Sequence, residues 1–415
     1  VIRFPEALFP VEGFRGIHDD PCIRLMVLAA GDERMAIASV ELVNVPPKAI
    51  SLCQKMIQHE TGVPLSRIWI HVTHAISTMH EPGPMGPPDQ RRPETERDIE
   101  QKGYFFAAIE KAMTEAAKQA ASNYGPASFG WASGECDANV NRDDLTPYGW
   151  WTGLNPQEPS NKKMSVLRVE NLSGQPKGFL ISYSIKPCAL DNAGMQDHTR
   201  LVSSDVCGVC SGIMEQQFGV PALFCVSAAG DQVPREMALL DKVIGPGKYV
   251  QKDFGVAQGL EMVSRVGKLL GDTAVSVGNL AVCDQTHTAI RFDRVSFLWP
   301  GRDRQTVSPA AEPSPEAFVS TGDRQVTAEI FTIGKAAFVA EKPEVNVRTE
   351  LELLEASPYA RTCLICMVNG GMKYMPDRLA YEKNTFEAQS SLLLPGAAEE
   401  FVKTVVGKLH EMKEA

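Results

Sequence analysis

Apolar residues recur along this chain with two periods, every second position in some stretches and every third or fourth in others, and the changes of period mark its elements. Arg24 to Ala30 and Arg34 to Val43 are mostly apolar runs on either side of Gly31-Asp32, which predicts a β-hairpin. Pro47 to Thr61 has helical spacing and ends near Gly62, with Pro64 beyond it, as a helix terminus does. Ile68 to Val72 predicts a short buried strand. Thr95 opens a long helix that runs to Ser122. Strands are expected near Ala127 to Ala132 and Ser165 to Glu170, with a polar, aromatic loop over Asn139 to Lys163 between them. Gly178 to Ile185 is a strand, Ser203 to Phe218 a helix, and Ala222 to Val226 a short buried strand ending in Ser227-Ala228-Ala229-Gly230-Asp231. A helix over Val256 to Leu270 follows. Residues 275–300 and 324–340 read as β-rich, with the Pro/Ser stretch 307–315 between them. Val347 to Ser357 predicts a helix, Thr362 to Val368 a strand, and Ala397 to Lys413 a C-terminal helix. Strands alternating with helices predict an α/β fold of mixed, partly parallel, buried sheets flanked by helices. Residues 1–415 are read as one domain, with 307–315 as a loop in preference to an internal boundary.

Composition narrows the function classes. The chain has 415 residues, 44% hydrophobic and 22% charged, as an ordinary globular protein with a large core has. A net charge of -10 with no basic run argues against a nucleic-acid partner. No apolar run approaches the roughly 20 residues of a membrane span. Val1-Ile2-Arg3-Phe4-Pro5 lacks the pattern of a signal peptide, although the chain does not begin with Met. Ten cysteines are scattered, several in apolar runs such as those around Cys225 and Cys283, which is the usage of reduced thiols and predicts a cytoplasmic setting. Cys363 and Cys366 lie three apart in a strand-like run and should face opposite ways. Cys207 and Cys210 open a helix and can share a face. A structural zinc site wants four ligands, so both pairs are read as structural.

The candidate chemistry starts at His74. It ends the apolar run that includes Ile68 to Val72, and Thr78-Met79-His80-Glu81-Pro82-Gly83-Pro84 after it can only be a loop. Strand ends opening into loops are where α/β proteins place metal ligands and catalytic bases. Pro82 to Pro93 is long enough to be read as either functional or mobile. Asp231, at the end of a buried strand, is suited either to orienting a ligand histidine or to capping a turn or helix. Tyr148, Trp150 and Trp151 cluster in Pro147 to Trp151 and read either as the wall of a substrate mouth or as a packed loop. His71 is read as a core or supporting histidine, and His18, His59, His287 and His410 as structural or surface residues.

Five segments, in order and spacing, resemble one family. They are Gly16-Ile17-His18-Asp19, Val40-Glu41-Leu42-Val43, Thr73-His74, Ala228-Ala229-Gly230-Asp231, and Asn369 to Tyr374 followed by Ala380-Tyr381-Glu382. Together they are similar to the N-terminal catalytic domain of the neutral (alkaline, non-lysosomal) ceramidases, and most to short bacterial relatives without the immunoglobulin-like C-terminal domain. The resemblance implies that fold and a zinc-dependent hydrolase of an amide bond, acting on a small-molecule or lipid-like substrate. It also implies a metal held by two His, one Glu and one Tyr.

Carried over position by position, it is uneven. His74 takes a metal-ligand place in the family's T-H-T-H-S-G, while Ile76 replaces the second histidine of that motif. Asn141-Arg142 matches N-R, which makes Arg142 a group for an oxyanion or carboxylate. Glu344 and Tyr374 take the places of the metal glutamate and tyrosine. The family's second metal histidine, in H-P-T, is Lys186 here, in Lys186-Pro187-Cys188. Val233 stands in Gly230-Asp231-Gln232-Val233-Pro234 where the family has serine, and Phe386 replaces a tyrosine. Zinc binds lone pairs, and a protonated lysine has none, so Lys186 argues against a family-type zinc site. It can point into the site and supply the missing positive charge opposite Glu344, or turn outward. His80 or His198 is the alternative replacement ligand. Two functions follow: an amide hydrolase with an altered metal site, or a metal-free ligand-binding pseudoenzyme. Oligomeric state leaves no mark on the sequence.

Overall fold

A computed structural model of the protein describes residues 1–84, 91–286, 288–303, 305, 307–309 and 318–414. Three β-sheets surround one shared apolar core, and each carries helices on its outer face. The first sheet has Ile23–Ala30 at its edge, then Glu33–Val40 antiparallel to it, then Ile68–Val72 parallel to that. Helices Pro47–Thr61 and Glu96–Ser122 pack on its outer face. The second sheet runs in the order Ala222–Val226, Pro176–Tyr183, Lys163–Asn171, Ala127–Glu135, under helices Asp205–Phe218 and Gly255–Leu280. The third runs Ile290–Gly301, Gly322–Ile333, Ala336–Glu341, Arg361–Ile365, covered by Val347–Ala356 and Ala397–Glu414.

Period-two alternation builds the centre. Trp69 comes from the first sheet, Phe129, Trp131 and Leu223 from the second, and Phe331, Phe338 and Cys363 from the third. Phe331 and Phe338 stack at 4.3 Å, and Trp69 and Trp131 meet them edge-on at 5.2 and 5.5 Å. Such pairs add to the burial of large rings. Cys363 faces this centre and Cys366 the helix side, as expected of residues three apart where a strand ends. Cys207 and Cys210 share one buried helix face, and all ten cysteines are free.

Two expectations are corrected. The span Asn139 to Lys163 is not a continuous loop. Asn139–Thr146 and Gly149–Asn155 pair as a hairpin, joined by Gln232–Pro234 in a third strand. Polar side chains hide the alternation there, because Asn139, Asn141 and Asn155 are buried through hydrogen bonds to backbone carbonyls and Asp231. Residues 275–300 are not β-rich throughout, since the helix continues to Leu280 and the strand starts at Ile290. The Val/Ser/Gly-rich end of that helix reads locally as strand, but Val263, Val266, Leu270, Ala274 and Val277 form one buried stripe. Gly267 and Gly271 let Val209 and Ile213 approach to within 2.5 and 2.6 Å of where a Cβ would stand.

Among the described residues no helix is long and apolar enough to cross a membrane. Residues 85–90 of the Pro82 to Pro93 loop, 310–315 of the Pro/Ser stretch and His287 lie outside the described residues.

Candidate functional site

His74 follows the Ile68–Val72 strand in a left-handed conformation, with φ of 61°. Its neighbours fix that geometry, because Thr73 N–H donates to the Val40 carbonyl and Val72 N–H to Met367. His74 Nδ1 lies 2.5 Å from the Val43 carbonyl, which can only accept, so the proton sits on Nδ1 and Nε2 carries the lone pair. Nε2 is 3.5 Å from Glu344 Oε1. Burial pushes the imidazole pKa below its ordinary value in spite of that carboxylate, and the ring is neutral.

Lys186 follows the Pro176–Tyr183 strand, its own N–H bonded to the Gln232 carbonyl. It is 3% exposed and points inward. Its Nζ is 2.6 Å from Glu344 Oε2 and donates to the Tyr374 hydroxyl at 2.7 Å. Burial is the largest single effect and works against the ammonium, but the Glu344 carboxylate and the Tyr374 hydroxyl together outweigh it and the Lys186 pKa is raised. Burial likewise works against the Glu344 carboxylate, and the Lys186 ammonium holds its pKa below the usual value. Glu344 and Tyr374 sit side by side because Glu344–Val345 and Tyr374–Met375 pair in parallel with those two residues in register.

Arg142 projects from the Asn139–Thr146 strand. Its Nε donates to Glu387 Oε1 at 2.6 Å and its Nη2 to Tyr374 at 3.3 Å, with the Phe386 ring 4.9 Å below the guanidinium. Glu387, on the short helix Phe386–Ser390, is fully buried. Asp143 lies behind it. Burial and then Glu387 push the Asp143 carboxyl well up, so it stays protonated beside the Glu387 carboxylate. Glu387 is absent from the sequence-derived site. The only hint of it in the sequence is its place next to Phe386, which stands where the family has tyrosine.

The structure therefore brings His74, Arg142, Lys186, Glu344, Tyr374 and Phe386 together, although they span most of the chain. Trp151 joins at the wall, its ring 5.8 Å from Phe386 and its Nε1 donating to Asp241. Trp150 lies one residue outward, under the Lys383 ammonium at 4.1 Å, and Tyr148 is exposed at the hairpin turn. Asp231 does not orient His74. Its carboxylate accepts from Asn141 Nδ2 at 2.9 Å and from Val347 N–H at 2.8 Å, at the start of a helix. His80 pairs with Glu12 at 3.0 Å, and His198 is exposed in a left-handed turn. His71 is a core residue, with Nδ1 donating to the Cys366 carbonyl and Nε2 accepting from Val226 N–H. Ile76 and Val233, where the family has polar groups, pack in one apolar cluster with Val140 and Cys188.

The charges balance. Two cations, Lys186 and Arg142, face two carboxylates, Glu344 and Glu387. A zinc ion needs several lone pairs directed at one point. Here the position between Glu344 and Tyr374 is filled by the Lys186 ammonium, which has only protons to offer. The donor set does not fit the metal that the resemblance implies.

No protein-family model matches the sequence, and no curated protein matches it. Solved structures do. Neutral ceramidase from Pseudomonas aeruginosa matches with a TM-score of 0.66 at 16% identity, over 95% of this chain and 70% of that one. A ceramidase complexed with C2 matches with a TM-score of 0.68 at 15% identity, over 99% of this chain and 72% of that one. The protein has the neutral-ceramidase fold, as its motifs imply. At these identities the likeness is one of fold.

Proposed function

We propose that this protein is a ceramidase-fold protein that works without a metal, binding a small or lipid-like amide or acyl ligand beside Lys186. The ammonium then takes over the charge that zinc supplies in the ceramidases. The observation that carries this reading is the buried Lys186–Glu344 pair at 2.6 Å, closed by Tyr374 at 2.7 Å. An ammonium preserves electrostatic balance and removes the Lewis acid that activates water. The apolar cluster of Ile76 and Val233 agrees with it, since these changes touch chemistry and leave packing intact. Polar contact with a ligand would fall to His74 Nε2 and Arg142, beside the aromatic wall of Phe386 and Trp151.

A second reading, hydrolysis of a linear amide, is favoured by one observation: Nε2 of the neutral His74 is left free by the Val43 hydrogen bond and is suited to taking a proton. Metal analysis of protein purified without added zinc, with a fluorescent N-acyl amide assay alongside, separates the two. Less than about a tenth of an equivalent of zinc and no turnover are expected of the first. One equivalent of bound zinc would overturn it, and metal-free turnover that is lost in His74→Gln would install the second.

A further inference from the structure

Away from the Lys186 site, a groove of about 1490 Å³ runs along Ile23–Ala30, the edge strand of the first sheet. Two observations define what it can hold. The first is the backbone. The two-residue turn Gly31-Asp32 makes Ala30 and Glu33 the closing hydrogen-bonded pair. At the other end Glu41 N–H donates to the Cys22 carbonyl, which fixes the same parity. So Arg24, Met26, Leu28 and Ala30 bond inward to Glu33–Val40. Ile23, Leu25, Val27 and Ala29 turn their N–H and C=O groups into the groove, and among the described residues no strand pairs with them there.

The second is the walls. Leu25 and Val27 pack toward the helix-side core, with Ala116 and Ala120 of Glu96–Ser122 along that side. Met26 and Leu28 pack toward the central core, with Phe129, Val169 and Leu223 along the other. An unpaired edge thus lies at the floor between two apolar walls. Natural edge strands are usually blunted by proline, lysine or a bulge. This one has none of these over eight residues, and its one charge, Arg24, is held by Glu41 and Glu215.

We propose that this groove binds an extended peptide that adds a strand to the sheet, with apolar side chains on both of its faces. A strand offers the complementary ladder of amides, and its alternating side chains meet the two walls. An aliphatic chain would fill the walls and leave the four residues' amides unmet. A second copy cannot pair edge to edge, because each edge is recessed between its own walls. The edge is about 27 Å long, room for six to eight residues.

The test uses a fluorescein-labelled Lys-Val-Leu-Val-Ile-Val-Lys amide and fluorescence anisotropy on the whole protein. Two N-methylated forms carry the methyl groups on alternate residues, one on the odd and one on the even positions. Saturable binding is expected, lost by about tenfold or more in one methylated form and kept in the other, since only one edge of a strand pairs. Val27→Pro removes an outward N–H and no inward ladder bond, and should weaken binding by a similar factor in protein whose circular dichroism shows it folded. Equal binding of both methylated forms, or binding of palmitate in place of peptide, would overturn the proposal. The methylated peptides test the unaltered protein, so the result does not depend on the variant folding.

Discussion

Replacing Lys186 by Met keeps the length of the side chain and removes its charge, leaving Glu344 buried at 4% exposure with neutral His74 and Tyr374. At 2.6 Å the pair attracts by about 6 kcal/mol for an effective dielectric of roughly 20, offset in large part by the desolvation of both ions. Breaking such a pair from one side leaves the other charge uncompensated and typically costs ~3–5 kcal/mol. Lys186→Met should therefore lower the unfolding free energy by about that amount in urea titrations near neutral pH. Glu344→Gln, which strands the ammonium, should do the same. The double variant should lie within about 2 kcal/mol of the parent, far from the sum of the two losses, because each change removes the other's unpaired charge. A loss below about 1 kcal/mol in Lys186→Met would refute the charge-substitution reasoning, as that is the value of an exposed pair.

Lys186→His offers zinc a fourth donor beside His74, Glu344 and Tyr374, and zinc affinity in isothermal titration should rise clearly; a folded variant that binds no more zinc than the parent would show that the donors cannot converge. Burial pushes His71 down to about 4, so its neutral ring is the native form. Its contribution to stability is full above pH 6.5, falls as pH drops from there to about 4, and amounts to about 3 kcal/mol. The urea midpoint should fall across that window, and less steeply in His71→Gln, whose amide can both donate and accept; equal slopes would contradict the assignment. Gly230→Ala would place a Cβ 2.7 Å from both Asn346 Oδ1 and the Val345 carbonyl, next to Glu344. It should cost ~1–3 kcal/mol by thermal denaturation, and an unchanged midpoint would mean that this junction yields.

Where periodicity reports burial by apolar contact, the fold was legible. The hairpin at Gly31-Asp32, the helix opened by Thr95 and the strand that delivers His74 stand where the pattern puts them. It failed where burial is achieved otherwise. Asn139–Thr146 is buried through amide hydrogen bonds, which leave no apolar alternation, and the end of Gly255–Leu280 carries its buried stripe on Ala274 and Val277 within a Val/Ser/Gly run that reads locally as strand. The site divides in the same way. His74, Lys186 and Glu344 were found through motif positions, and their contact follows from strand ends meeting. Glu387 has no motif of its own and acts through Arg142, 245 residues earlier, so only the folded chain reveals it. The orientation of Lys186 was open in the sequence, and its burial among Glu344 and Tyr374 settles which way it points.

The same long-range pairing bears on how the chain reaches its native state. Lys186 meets Tyr374 across 188 positions and Arg142 meets Glu387 across 245, and loop closure of this kind is slow. During synthesis both cations emerge well before their carboxylates. The first two sheets can form around His74 and Lys186 while these charges still need water, so the site stays wet until the third sheet docks. Burial of these ion pairs is then among the last events of folding. A tryptophan signal from Trp151, packed against Phe386 beside the site, should lag behind the appearance of secondary structure in refolding experiments.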